Sequence, residues 1–287
     1  MSSIDNRQEW IQVRGGDVLF ATAYEPANAD PETLITLVFS HGAGGTHLNW
    51  VHQVAAFAET YRVVLWDHRG FGRSSNQSGL ASPYTASDDL EAVLNTFNVD
   101  KAWIIAQSMG GWGALRFATT RPERVHGLVL ADTSAGLQAP DTVSRLNQFI
   151  TEFTEARSTV TFLNSPAVAA SFADRNLRGS VLYHMIGAAF PSNYPDVLTD
   201  LRDTTITEDA LRCLTAPTLA IIGEEDRVFP PEDVRTALQN LADVEFATIA
   251  GAGHSPYFEQ PDRFNDLVQR YVSAHPPRLD HSEGVPL

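Results

Sequence analysis

Two rhythms of hydrophobic and polar residues alternate along the first half of the chain. Trp10–Arg14 and Asp17–Tyr24 read as two strands joined at Gly15-Gly16, a tight-turn signal. Leu34–Ser40 is a nearly unbroken apolar run, the kind of strand a parallel sheet buries on both faces. Arg62–Trp66, Ala102–Ala106 and Gly127–Asp132 read as further strands. Helical patterns separate them. Trp50–Glu59 fits a helix, and Leu90, Val93, Leu94 and Phe97 fall on one helical face behind a Thr85/Asp88 capping box. Met109–Thr120 is a third helix. Strand and helix in strict alternation mean a parallel sheet with crossover helices.

The alternation stops at Ala135 and resumes after Leu214. The stretch holds helix-like segments at Val143–Glu155, Val160–Leu163, Ala167–Arg175 and Ser180–Ala189, and is too long for a plain loop. It reads as a helical cap over residues 135–214, inserted into an α/β core made of 1–134 and 215–287. Most of its bulky apolar side chains should pack the cap itself. A few should face the pocket beneath, with Phe153, Phe162, Tyr183 and Phe190 as candidates by bulk and location. Phe264, Leu267, Val268 and Tyr271 mark one face of a final helix, and Pro276–Leu287 is a polar tail.

The most informative run is Lys101–Gly113. Only Gln107 and Ser108 separate a strand from a helix, so the turn must be strained and flanked by small residues, here Ala106 and Gly110. This is the G-x-S-x-G nucleophile elbow with Ala at the first position. It lifts the Ser108 hydroxyl beside the free N–H groups of a helix start. A serine hydroxyl needs a base, and Val244–His254 reads as a strand followed by a Gly-rich loop that ends in His254. An acid must orient that imidazole, and Ala216–Asp226 reads as a strand followed by a loop that offers Glu224, Glu225 and Asp226. Serine, acid and histidine thus follow one another in the chain, each just after a strand.

Five motifs in order carry a resemblance to the α/β-hydrolase family along nearly the whole chain: His41–Gly45, Asp67–Ser74, Gln107–Gly111, Gly223–Asp226 and Gly253–Pro261. The resemblance implies a mostly parallel, doubly wound sheet of about eight strands with an inserted cap. It implies Asp226 as the acid, because Arg227-Val-Phe-Pro-Pro follows it, and backbone oxyanion donors at Met109 and Ala43. Asp67–Ser74 then supplies a structural turn, and His41 orients a loop. Gln107 and Trp112 flank the elbow, where each either packs or touches substrate.

Leu128–Thr133 and His254–Glu259 are similar to enol-lactone hydrolases, so a cofactor-free serine hydrolase of a small ester, lactone or related acyl compound is expected. The alternatives are a carbon–carbon bond hydrolase of a vinylogous diketone, a cofactor-free oxygenase or haloperoxidase-like enzyme, and a small-molecule receptor. The diketone hydrolases usually show Asn before the serine and Trp after the histidine, where this chain has Gln107 and Ser255. Ser108 stands where a dehalogenase or epoxide hydrolase has Asp.

Composition adds limits. The net charge of −15, with Lys101 the only lysine, argues against nucleic acid or an anionic membrane as partner. A small-molecule substrate is the expected partner, and self-association is left open. Cys213 is the only cysteine, and His47 and His52 are not spaced as a zinc pair, so no metal site is expected. The first residues lack an apolar core for a secretion signal, so a cytoplasmic protein is expected.

Overall fold

The computed structural model describes residues 3–31, 33–137, 144, 147–148, 151, 159–190, 200–201 and 204–276. Eight strands form one sheet: β1 (Ile4–Gln12), β2 (Val18–Pro26), β3 (Thr36–Ser40), β4 (Arg62–Trp66), β5 (Ala102–Gln107), β6 (Val125–Ala131), β7 (Thr218–Gly223) and β8 (Val244–Ile249). Their order is β1-β2-β4-β3-β5-β6-β7-β8. The β1–β2 and β2–β4 pairs are antiparallel, and the pairs from β4 through β8 are parallel.

The unbroken apolar strands divide their side chains between two faces by the period of two. Val38, Val64, Ile104, Leu128, Leu130 and Ile222 face one core, shared with α2 (Pro83–Thr96), α3 (Gly110–Thr120) and the helix Pro231–Leu238. Leu37, Phe39, Leu65, Ile105, Val129 and Ile221 face the other, shared with α1 (Val51–Phe57) and the final helix Pro261–Ala274. Phe264, Val268 and Tyr271 are buried in that second core, and Leu267 packs against it.

Several elements differ from the sequence pattern: Val160–Leu163 runs into a turn, only Phe172–Arg175 of Ala167–Arg175 is helical, and two further boundaries have a clear cause. Ser82, not Thr85, caps α2: its hydroxyl accepts from the Thr85 N–H, and Thr85 closes the box in return. Pro83 fits the first helical position, so the helix begins before the pair Thr85/Asp88. β1 begins at Ile4, well before Trp10. It is an edge strand with mostly exposed side chains, so no apolar alternation marks it.

Between β6 and β7 the described residues form helical turns at Phe172–Arg175, the helix α4 (Leu177–Ala188) and a turn at Glu208–Leu211. Phe172, Val168, Ala169 and Ile186 join the second core, so this segment is anchored on the sheet's own packing. Most of the expected helix at Val143–Glu155, the candidate Phe153 and most of the polar tail lie outside the described residues, and the described Ser144, Asn147, Gln148 and Thr151 are helical. Among the described residues no helix is long and apolar enough to cross a membrane.

Candidate active site

Ser108 follows β5 with φ at 48°, in the left-handed region that non-glycine residues rarely occupy. The conformation is held from three sides. The Ser108 N–H donates to the Ala131 carbonyl at 3.0 Å, and the Ser108 carbonyl accepts from Gly111 N–H at 2.9 Å and from the Thr133 hydroxyl at 2.8 Å. A Cβ on Gly110 would lie 2.5 Å from the Ser40 carbonyl oxygen, so only glycine lets α3 start this close to the end of β3.

The same closeness brings the loop after β3 onto the serine. A Cβ on Gly42 would lie 3.0 Å from the Ser108 Cβ and 2.1 Å from Gln107 Oε1. Ala43 follows Gly42 in the chain, and Met109 follows the serine. Neither the Ala43 nor the Met109 N–H has an acceptor among the described residues. The loop rests on His41, which is fully buried. Its Nδ1–H donates to the Gly42 carbonyl at 2.8 Å, and Nε2 accepts from the His68 N–H at 3.0 Å. Burial pushes the imidazole down to about 4, with Asp67 pulling the other way. Both nitrogens are committed to backbone, so His41 shapes the loop and moves no proton.

The acid and the histidine come from the loops after β7 and β8. His254 Nδ1–H donates to Asp226 Oδ2 at 2.9 Å. Asp226 Oδ1 accepts from the N–H groups of Val228 at 2.7 Å and Phe229 at 3.0 Å, which fix the carboxylate. Both residues are buried, Asp226 at 4% and His254 at 7% exposure. Glu224 and Glu225 are exposed, and Glu224 accepts from the Gly251 N–H at 3.0 Å. Of the three acids only Asp226 meets the imidazole.

Several neighbours lie in motifs the sequence singled out but received no role from it. Phe229 lies between His254 and Trp112, with ring centroids 5.8 Å and 6.1 Å away. Glu259 accepts from the N–H groups of Gly253 and Ala169, each at 2.9 Å, and of Ser255 at 3.2 Å. It thereby fastens the histidine loop to the segment between β6 and β7. Burial pushes its carboxyl above the usual range, and these N–H groups oppose the push. Thr133 and Asp132 follow β6 directly, in a stretch the sequence singled out without giving either residue a role.

The proposed substrate-contacting residues fall in different surroundings. Gln107 Nε2 donates to the His254 carbonyl at 2.8 Å, and the side chain is 4% exposed. Trp112 Nε1 donates to the Leu201 carbonyl at 3.1 Å, under the inserted segment. Tyr183 on α4 shares a 2.8 Å hydrogen bond with Ser255, the residue after His254, and its ring stands edge-on to Phe258. Phe162 and Phe190 are half-buried, and Phe162 lies against His184. The Asp67–Ser74 turn is built as a brace: Asp67 accepts from the N–H groups of His47 and Arg73, and the Ser74 hydroxyl donates to the Asp67 carbonyl.

A family model described as alpha/beta hydrolase fold matches residues 35–261. A putative carbamate hydrolase RutD of a Caulobacter species is 28% identical, covering 83% of this chain and 91% of its own. A 2-hydroxy-6-oxononadienedioate/2-hydroxy-6-oxononatrienedioate hydrolase of Paraburkholderia phymatum is 28% identical, covering 92% and 95%. The 3-oxoadipate enol-lactonase 1 of Acinetobacter baylyi is 27% identical, covering 85% and 91%.

Proposed function

We propose that this chain, which belongs to the alpha/beta hydrolase fold family, cleaves a small ester or lactone through an acyl intermediate on Ser108. The observation that carries the reading is the convergence of three loops. A strained serine follows β5, a buried Asp226 β7 and a buried His254 β8; Asp226 is bonded to His254 at 2.9 Å, and Gln107, the residue before the serine, to the His254 carbonyl at 2.8 Å.

In this reading Ser108 Oγ attacks the carbonyl carbon while His254 Nε2 takes its proton. Asp226 holds the Nδ1–H tautomer and stabilises the imidazolium. The oxyanion falls between the N–H groups of Ala43 and Met109. The intermediate collapses, the leaving alkoxide takes the proton from His254, and water repeats the sequence on the acyl-serine. A lactone gives one hydroxy-acid product by the same steps.

The related enol-lactonase supports a lactone, and the carbamate hydrolase fits the same acyl chemistry. The oxononadienedioate hydrolase keeps carbon–carbon cleavage as the second reading. Against it, Gln107 and Ser255 occupy the places of that family's Asn and Trp, and both side chains are already bonded, to His254 and Tyr183.

The test is turnover of a panel of p-nitrophenyl esters, lactones and ring-cleavage diketones, with mass spectrometry after a fluorophosphonate probe. Ester or lactone turnover and a labelled Ser108 are expected. Preferred cleavage of the diketones, or no label on Ser108, would overturn the reading.

A further inference from the structure

Asp132 is an acidic residue that the proposed mechanism does not use. It follows β6 directly, its N–H donates to the Ile221 carbonyl at 3.0 Å, and it is wholly buried. Its φ is 46°, a conformation that Asp and Asn tolerate better than most side chains. Oδ1 accepts from the Gly223 N–H at 2.7 Å. Oδ2 has no donor among the described residues and is shut off from water. Gly223, which donates to Asp132, also accepts from the Asp226 N–H at 3.2 Å, so one residue ties the two acids to the same turn.

Two ionised carboxylates buried on one turn repel each other and lack water to screen them. One of the pair must hold a proton. Asp226 has no free oxygen for it, because Oδ1 already accepts from Val228 N–H and Phe229 N–H and Oδ2 from His254 Nδ1–H. Asp132 accepts one N–H and has one bare oxygen. A proton on that oxygen converts an unsatisfied acceptor into a donor, and Asp226 is the acceptor beside it.

We propose that Asp132 is a positioning residue of this site: its Oδ2 carries a proton at neutral pH and donates it to the carboxylate of Asp226. A neutral acid and a carboxylate then hold a single negative charge between them. The extra donor steadies Asp226 in the orientation that meets His254. The surroundings agree in sign. Burial chiefly, and next the charge of Asp226, push the Asp132 carboxyl well above the usual range; the Gly223 N–H opposes, and the charge of Glu259 adds to the push.

The meaning of this proton for turnover rests on the proposed function, but its presence does not, so two readouts separate them. The first is infrared difference spectroscopy of wild type minus Asp132→Asn at neutral pH, in water and heavy water. A neutral carboxylic acid carbonyl band, shifted by deuteration and missing from the variant, is expected. Loss of a carboxylate band instead would overturn the proposal. The second is kinetics on the best ester or lactone. Asparagine keeps an acceptor for Gly223 and offers an NH₂ donor to Asp226, whereas alanine offers neither. Asp132→Asn should therefore exceed Asp132→Ala in kcat by roughly tenfold or more, with KM moving less. Equal loss in both variants would mean that the charge of Asp132 is needed, and the proposal falls. If Asp132→Ala does not fold, the infrared comparison decides alone. If no ester or lactone is turned over, the proposed function fails while the infrared result still locates the proton.

Discussion

Gln107, the residue before Ser108, holds the backbone of His254 through a 2.8 Å bond from Nε2 to the carbonyl oxygen. The strand that leads into Ser108 therefore sets the height of His254. Removing the amide should loosen this register without touching the chemistry. Gln107→Leu is expected to lower kcat by roughly tenfold, with KM changed less. Steady-state kinetics beside a melting curve check it. A variant with unchanged kcat would show that the loops hold the base unaided.

Ser108→Ala should lose about 10³-fold or more in turnover and keep a native circular dichroism spectrum. Ala43→Pro, which deletes the proposed donor N–H, should lose roughly 10²–10³-fold in kcat. A folded Ala43→Pro enzyme of normal rate would remove Ala43 from the oxyanion site.

Asp226 and Glu224 differ in what they touch, an imidazole in one case and the Gly251 N–H in the other. Asp226→Asn should cost up to about 10⁴-fold in kcat, as loss of the tautomer-fixing acid does in serine proteases. Glu224→Gln should stay within about threefold, since its side chain is exposed. The two variants assayed together settle the choice, and a reversed ranking would reject Asp226.

Tyr183 reaches from the inserted segment to Ser255, next to His254. Tyr183→Phe removes the shared hydrogen bond and leaves the ring on Phe258. A loss of about 0.5–1.5 kcal/mol in stability is expected, with a changed ranking of substrates by kcat/KM. An unaltered ranking across the ester and lactone panel would confine Tyr183 to packing.

Two imidazoles tie stability to pH. Burial pushes His41, and likewise His126 on β6, down to about 4 from the ordinary 6.5. Between those values the unfolded chain binds protons that the folded chain refuses, so each contribution is full above the unfolded value and declines as pH falls through the window. The proton proposed on Asp132 has the opposite sign, since the folded chain keeps it and the unfolded chain does not. The imidazole effect is therefore read as a difference between two proteins. From pH 7 to pH 5 wild type should lose roughly 4–7 °C more in Tm than His126→Gln, at about 2–4 °C per kcal/mol for a chain of this size. Equal pH dependence of the two would contradict the assignment.

The central strands were legible because burial on both faces forces unbroken apolar runs, as in Thr36–Ser40 and Ala102–Gln107. The elbow was legible because its turn demands small residues at fixed offsets from Ser108. β1 was half hidden, since an exposed edge strand has no apolar period to read. Asp132, Thr133 and Glu259 lie in stretches that stood out but received no role, for another reason: their work depends on neighbours far away in sequence. Glu259 becomes a clamp only where Ala169 N–H meets it, and Asp132 becomes notable only where β6 and β7 lie side by side. Gln107 was singled out with two roles left open, and only the fold shows that its amide is spent on His254.

The loops that carry Asp226 and His254 touch where neither has a side chain. A Cβ on Gly223 would sit 2.0 Å from the Gly253 carbonyl oxygen, and one on Gly253 would sit 2.2 Å from the Ala169 nitrogen. Backbone against backbone, these stretches fit one another as a unit. A graft that replaces the acid loop alone, or the histidine loop alone, meets backbone on the other side. Laboratory recombination of this scaffold should place its crossovers outside residues 223–259 and carry the 168–169 contact along, leaving the exposed residues of α4, such as Leu182 and Met185, as the ground where variation is cheap.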